Sequence, residues 1–152
     1  MKLLDFLDPS AICLELKSPA KKEAIAELCE LLKSGSKILD ADAVAQTLMD
    51  REKLGSTGIG QGVAIPHGRN AAASKLVAAL GVSRRGVDFQ SLDGLPVHVI
   101  FMLVSPKDGG AEHLKALAKI SGLLKDKFFR QGLKDAKSVD DVLSIIKEED
   151  EF

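Results

Sequence analysis

Apolar residues along the chain change their period several times, and each change marks an element. Ile12, Leu14 and Leu16 alternate with Cys13 and Glu15, the two-residue period of a strand. Ser18-Pro19 then reads as a helix N-cap followed by proline at the first helical position. Ala24, Ile25, Leu28, Leu31 and Leu32 recur on one helical face until Gly35. Asp40 is placed to cap a second helix through Val44, Leu48 and Met49, ending at Gly55. Arg51 and Lys53 fall in its last turn, where positive charge suits the helix dipole.

The middle of the chain reads as strands over residues 63–66, 76–83 and 97–104. The last, VHVIFMLV, is apolar on both faces and predicts a central strand covered on both sides. Residues 87–91 form a fourth candidate, joined to it through an Asp93-Gly94 turn. After Pro106 the period becomes helical, with Leu114, Leu117, Ala118 and Leu124 as one stripe. Phe128, Phe129 and Leu133 suggest a short further helix. Ser138 with Asp141 resembles a capping box ahead of Val139, Val142, Leu143 and Ile146. Residues 147–152 are mostly acidic and are expected to fray. Helices before, between and after strands predict an α/β fold. Residues 1–152 read as one single-domain sandwich, a central mixed parallel and antiparallel β-sheet flanked by helices.

Composition narrows the functions. Formal net charge is −1, which gives no bulk attraction to nucleic acid or an anionic membrane. Trp and Tyr are missing and Phe numbers six, so a base-stacking platform is poorly supplied. No apolar run approaches the ~20 residues that span a bilayer. Asp5 and Asp8 interrupt the N-terminal MKLLDFLDPS where a signal peptide needs apolar residues, so a cytoplasmic location is expected. Cys13 lies in a strand-like segment and Cys29 on an apolar helix face. Two small buried thiols in a reducing compartment fit better than a disulfide.

The stretch GSTGIGQGVAIPHGR, residues 55–69, concentrates the candidate chemistry. It is not a P-loop, because Gly60 is followed by Gln61-Gly62 and not by Lys-Ser/Thr. It is not a dinucleotide fingerprint, because Val63 stands where the third glycine belongs. Its glycines can turn successive N–H groups toward one anion, or they can merely make a sharp corner. Ser56 and Thr57 add hydroxyl donors, and Gly58 an amide. Arg51 upstream offers a guanidinium fork suited to phosphoryl oxygens. Pro66 keeps Ile65 extended and fixes the approach to His67. His67 reads either as a strand cap or as a reactive imidazole. His98, inside the apolar strand, reads as a hydrogen-bonded core residue. His113 shares a stripe with Leu117, Ile120 and Leu124, so it faces partly inward and can donate to an anion. The three histidines lack metal-ligand spacing, so no zinc site is expected.

REKLGSTGIGQGVAIPHG, residues 51–68, strongly resembles the signature of enzyme IIA domains of the fructose/mannitol type. These belong to the bacterial phosphoenolpyruvate-dependent phosphotransferase system, and the likeness is greatest to its nitrogen-regulatory enzyme IIA proteins. The resemblance continues through DGLPVHVIFMLVSP, residues 93–106, and AEHLKALAKIS, residues 111–121, and covers nearly the whole chain. It implies that His67 accepts a phosphoryl group, on Nε2, from a histidine phosphocarrier protein, HPr-like or a nitrogen-branch homologue, with enzyme I upstream. It implies that Arg51 and His113 flank that imidazole, and a mixed sheet between helices. Such transfer passes through a loose, metaphosphate-like state whose charge lies on the equatorial oxygens. The protein then has to align two rings and neutralise that charge, which fixed donors can do with no metal or other cofactor. Ser56, Thr57 and Gly58 are secondary phosphoryl-binding candidates.

Fructose and mannitol members are commonly fused to further phosphotransferase domains, some membrane-spanning. This sequence carries neither, so the expectation leans to a regulatory switch whose two phosphorylation states bind different target proteins. The alternatives are a sugar-transport enzyme IIA serving a separate enzyme IIB, and a non-catalytic anion- or partner-binding module on the same fold. No nucleic acid and no membrane insertion are expected.

Overall fold

A computed structural model describes residues 1–150. After a single 3-10 turn at Leu3–Asp5 come strand β1 (Leu7–Cys13), helices α1 (Lys21–Ser34) and α2 (Ala41–Glu52), and three short strands, β2 (Gly58–Gly60), β3 (Val63–Ala64) and β4 (His67–Arg69). Two long strands, β5 (Val77–Val87) and β6 (Val97–Ser105), precede helices α3 (Gly110–Leu124), α4 (Lys127–Asp135) and α5 (Val139–Asp150). The six strands form one sheet in the order β1-β5-β6-β3-β2, with β4 extending the β3 side of β6. β1 is parallel to β5, β5 antiparallel to β6, and β3 and β4 both parallel to β6. The sheet is therefore mixed, and β6 is its centre, as an apolar run on both faces requires.

Alternate residues of β6 face opposite sides of the sheet. Cys29 of α1 meets Met102 through sulfur atoms 4.0 Å apart, whereas His113 of α3 bonds Ser105, three residues on and on the other face. Phe101, Met102, Leu103 and Val104 are wholly buried between these helical layers. The sandwich is the expected one. Burial pushes the Cys29 thiol up to about 12, so it stays protonated and packs as an apolar group. Both cysteines are free.

Several boundaries differ from the sequence pattern. The first strand begins at Leu7, because a bulge at Asp8-Pro9-Ser10 shifts its register, with Asp8 accepting from both the amide and hydroxyl of Ser10. Leu16 lies beyond the strand proper yet still donates to Val82. Ser18-Pro19 do not start α1. Ala20 is extended and bridges Asp88 through the Pro19 carbonyl and the Lys21 amide, so the helix starts at Lys21 and Ser18 donates to Glu27 instead. Asp40 does cap α2, accepting from the Ala43 amide. Residues 87–91 add no strand beyond Val87. In α3 the buried face is His113, Ala116, Ile120 and Leu124, and Leu114 is 67% exposed. Ser138 caps α5 by accepting from the Asp141 amide, and the Asp141 carboxylate returns to the Lys137 amide.

The acidic C-terminus does not fray as far as it is described. The Asp150 carboxylate accepts from the Leu3 and Leu4 amides at 3.0 and 3.3 Å and pairs with Lys119 at 3.4 Å. That expectation extended to residues 151–152, which lie outside the described residues. Replacing Asp150 with alanine orphans two amides at a helix turn. Urea unfolding should show Asp150→Ala less stable by about 1–3 kcal/mol with an unchanged m-value.

Candidate functional site

The glycine-rich stretch folds as a hairpin and not as an anion nest. Gln61 and Gly62, with φ of 59° and 79°, make the two-residue turn between β2 and β3. Gly58 is required by close packing, because a Cβ there would stand 2.3 Å from the Ser91 hydroxyl oxygen. The donors of this stretch are already used. The Ser56 hydroxyl donates to the Phe89 carbonyl at 2.9 Å and accepts from the Gly58 amide at 3.1 Å. The Thr57 hydroxyl and amide both donate to Glu52, at 2.6 and 3.1 Å. The Gln61 amide donates to Asp93. In this conformation Ser56, Thr57 and Gly58 are internal fasteners of the loop, not the free donors expected of them.

Glu52 organises that loop, and the sequence reading passed over it. Its carboxylate also pairs with Lys21 at 3.1 Å, and the two side chains are 1% and 9% exposed. The Lys21 ammonium lies 5.1 Å from the centre of the Phe89 ring, a cation–π contact. The available signal was spacing. Lys21 sits one turn before Ala24 and Ile25, and Glu52 one turn after Leu48, so both fall on buried stripes.

Pro66 does not end the strand run. The chain pairs again at once, and β4 aligns His67 with Leu103, Gly68 with Val104 and Arg69 with Ser105 of β6. Gly68 faces α2, where a Cβ would meet Thr47 and Leu48 at 3.1 and 3.2 Å. His67 and Arg69 therefore share the opposite face, toward α3. The half-buried His67 ring has Nδ1 at 2.7 Å from the Ile65 carbonyl. A carbonyl only accepts, so Nδ1 carries the proton and Nε2 of the neutral ring keeps its lone pair.

His113 meets His67 across a short gap, with ring centres 5.7 Å apart and planes tilted by 51°. Its Nδ1 lies 2.7 Å from the buried Ser105 hydroxyl. With Ser105 donating, His113 carries its proton on Nε2. Burial, with smaller effects from His67 and Arg69, holds the His113 pKa below the ordinary histidine value of 6.5. Arg69 is a second residue that the sequence reading did not assign to the site. Its Nη1 lies 3.2 Å from where a Cβ at Gly110 would stand, so its guanidinium rests on the first turn of α3. The missed signal was strand alternation past Pro66, which puts Arg69 beside His67. Arg51 has a different setting. It is half-buried and its Nη1 donates to the Gly55 carbonyl at 2.9 Å, so its side-chain bond is to the loop and not to the imidazole. His98 is a half-buried strand residue whose Nδ1 donates to the Ser83 carbonyl at 2.8 Å.

Two outcomes follow from this geometry. Glu52→Gln leaves the Lys21 ammonium buried without its partner charge and should destabilise the fold by about 3–5 kcal/mol in urea unfolding. Adding Lys21→Met should recover much of that loss. His113 has its folded pKa lowered, so below pH 6.5 the unfolded chain binds its proton more readily. Its contribution to stability is therefore complete above that pH and lost as pH falls through and below it. His113→Gln should flatten the stability–pH curve in that window.

Comparison with known proteins identifies the family. The chain matches the family described as phosphoenolpyruvate-dependent sugar phosphotransferase system, EIIA 2, over residues 5–149. It is 38% identical to a nitrogen regulatory protein of Bradyrhizobium diazoefficiens, over 96% of this chain and 95% of that one. It is 37% identical to the PTS system fructose-specific EIIABC component of Bacillus subtilis, over 99% of this chain but only 24% of that longer protein. The fold is similar to the crystal structure of nitrogen regulatory protein IIA-Ntr from Neisseria meningitidis. The TM-score is 0.86 and the identity 39%, covering 93% of this chain and 97% of the other. Among the described residues no helix is long and apolar enough to cross a membrane. With a family match running almost end to end, the chain belongs to the EIIA type 2 family of the phosphoenolpyruvate-dependent sugar phosphotransferase system.

Proposed function

We propose that this protein carries a phosphoryl group on Nε2 of His67, received from the phosphohistidine of a small phosphocarrier protein that enzyme I charges. The observation that carries the reading is the Nδ1 bond to the Ile65 carbonyl, which leaves Nε2 as the nucleophilic atom. The Nε2 lone pair attacks phosphorus in line. A new N–P bond forms as the donor N–P bond breaks, and the donor imidazole departs with that electron pair. Positive charge builds on the His67 ring, and the Ile65 carbonyl stabilises it through the Nδ1 proton. The phosphoryl oxygens need donors already in place. His113 is 5.7 Å away ring to ring and can donate from Nε2, and Arg69 brings a guanidinium to the same face. Arg51 reaches the oxygens by exchanging its Gly55 carbonyl for the incoming anion, a side-chain movement that leaves the Glu52-anchored loop intact.

Downstream, the reading is chiefly regulatory: phosphorylated and free forms present different charge at His67 and bind different target proteins. The nitrogen-regulatory relatives, similar over nearly their whole length, support it. The fructose-specific relative, of near-equal identity, supports the second reading, delivery to an enzyme IIB for sugar uptake.

Incubation with enzyme I, a histidine phosphocarrier and phosphoenolpyruvate should add one phosphoryl group to the intact mass, in an acid-labile, base-stable linkage. His67→Ala should take up none. His113→Gln, Arg51→Gln and Arg69→Gln should each slow transfer, the first by about a hundredfold, while remaining folded. Uptake at the normal rate by His67→Ala removes the assignment, and a folded chain that never takes up label favours the binding module. A target retained by His67→Ala but not by His67→Asp marks the regulatory branch. Sugar phosphorylation that appears only with a matching permease marks the transport branch.

A further inference from the structure

A cavity opens away from His67, and no residue of the proposed phosphoryl site lines it. Its volume is about 240 Å³, and its walls come from the β2–β3 turn, the start of β6 and one face of α4. Lys127, Arg130 and Lys134 recur on that helix face at spacings of three and four, and Gln131, Gln61 and His98 complete the polar lining. No carboxylate lines the cavity, although the chain as a whole has more acidic than basic residues, 22 against 21. Among the described residues none of the three cations forms an ion pair, whereas Lys21, Lys37, Lys53 and Lys119 each do. Three unpaired like charges on one helix face repel one another unless an anion lies between them.

The site is also partly pre-organised. Arg130 Nη1 donates to the Leu124 and Lys125 carbonyls at 2.9 and 2.8 Å, which fixes the guanidinium and leaves its other N–H groups unspent. The Gln61 backbone is set by the hairpin turn and by Asp93, and the β6 amides of His98 and Val99 hold the Gly62 carbonyl. The volume falls below the ~300–1,000 Å³ of sites for drug-sized ligands, so the occupant is small. We infer that this cavity binds a small multivalent oxyanion, a phosphate ester or a polycarboxylate, through Lys127, Arg130 and Lys134.

The test is a residue-resolved NMR titration of the whole chain at constant ionic strength, with pyrophosphate as the phosphate arm, citrate as the carboxylate arm and chloride as control. Saturable, submillimolar shifts are expected at the amides of Gln61, Gly62, Val99, Arg130 and Gln131, and the arm that saturates identifies the ligand class. Arg130→Gln should weaken binding about tenfold or more. It also loses two bonds that close the end of α3. Lys127→Gln with Lys134→Gln, which breaks no bond within the fold, provides the independent variant and should weaken binding as much. His67→Ala should bind normally, so failure of the phosphoryl-transfer reading and failure of this one are separable. The inference is overturned if neither anion saturates, if shifts map to Arg69 and His113 instead, if the lysine variant binds as tightly as the parent, or if only a long polyanion such as heparin binds.

Discussion

The hydrogen bond from His67 Nδ1 to the Ile65 carbonyl is the constraint on which the site depends. It holds the ring by a backbone atom two residues back, so turning the imidazole costs that hydrogen bond. It also sets the tautomer. A histidine free to exchange tautomers would offer Nε2 only part of the time and in no fixed direction. Here the unprotonated nitrogen and its lone pair are fixed in advance, which is what the proposed in-line transfer between two imidazoles would demand.

β6 extends that constraint to the other site residues. Its Leu103 pairs with His67, its Ser105 pairs with Arg69, and the same Ser105 hydroxyl meets His113. One rigid, buried strand thus sets the spacing of three side chains from two elements far apart in sequence. The end of α2 that carries Arg51, and the loop after it, are held by different means, through the buried Lys21–Glu52 pair and its two bonds to Thr57. That arrangement separates an imidazole pair placed by β6 from a guanidinium bonded to the Gly55 carbonyl. In the proposed transfer, fixed donors would lower reorganisation, and a movable one would let charge compensation follow the phosphoryl group.

The proposed phosphoryl transfer uses the residues around His67 and leaves the cation-lined cavity beside α4 unused. The two are separate in lining and in chemistry. They are joined through β6, whose start borders the cavity and whose end pairs with β4, and through the β2–β3 hairpin, whose turn borders the cavity and after which the chain runs on to His67.

Local pattern alone determined much of this protein. The helix α1, the Asp40 cap of α2, the central strand within residues 97–104 and the Ser138 cap of α5 were legible because each rests on spacing or on a bond made within a few residues. His67 was picked out by the glycine-rich stretch before it, but its spacing left a strand cap and a reactive imidazole equally open. Tertiary structure alone decided the rest. Whether the Ser56 and Thr57 hydroxyls face an anion or their own loop depends on Glu52 and Phe89, the second of them 33 residues from Ser56. That Arg69 stands with His67, and that β4 exists, depends on pairing with residues 103–105. The same holds for Asp150, whose partners at Leu3 and Leu4 lie at the opposite end of the chain. Periodicity reports which face of an element is apolar, but the partner a polar group finds across the fold is set by how the layers meet.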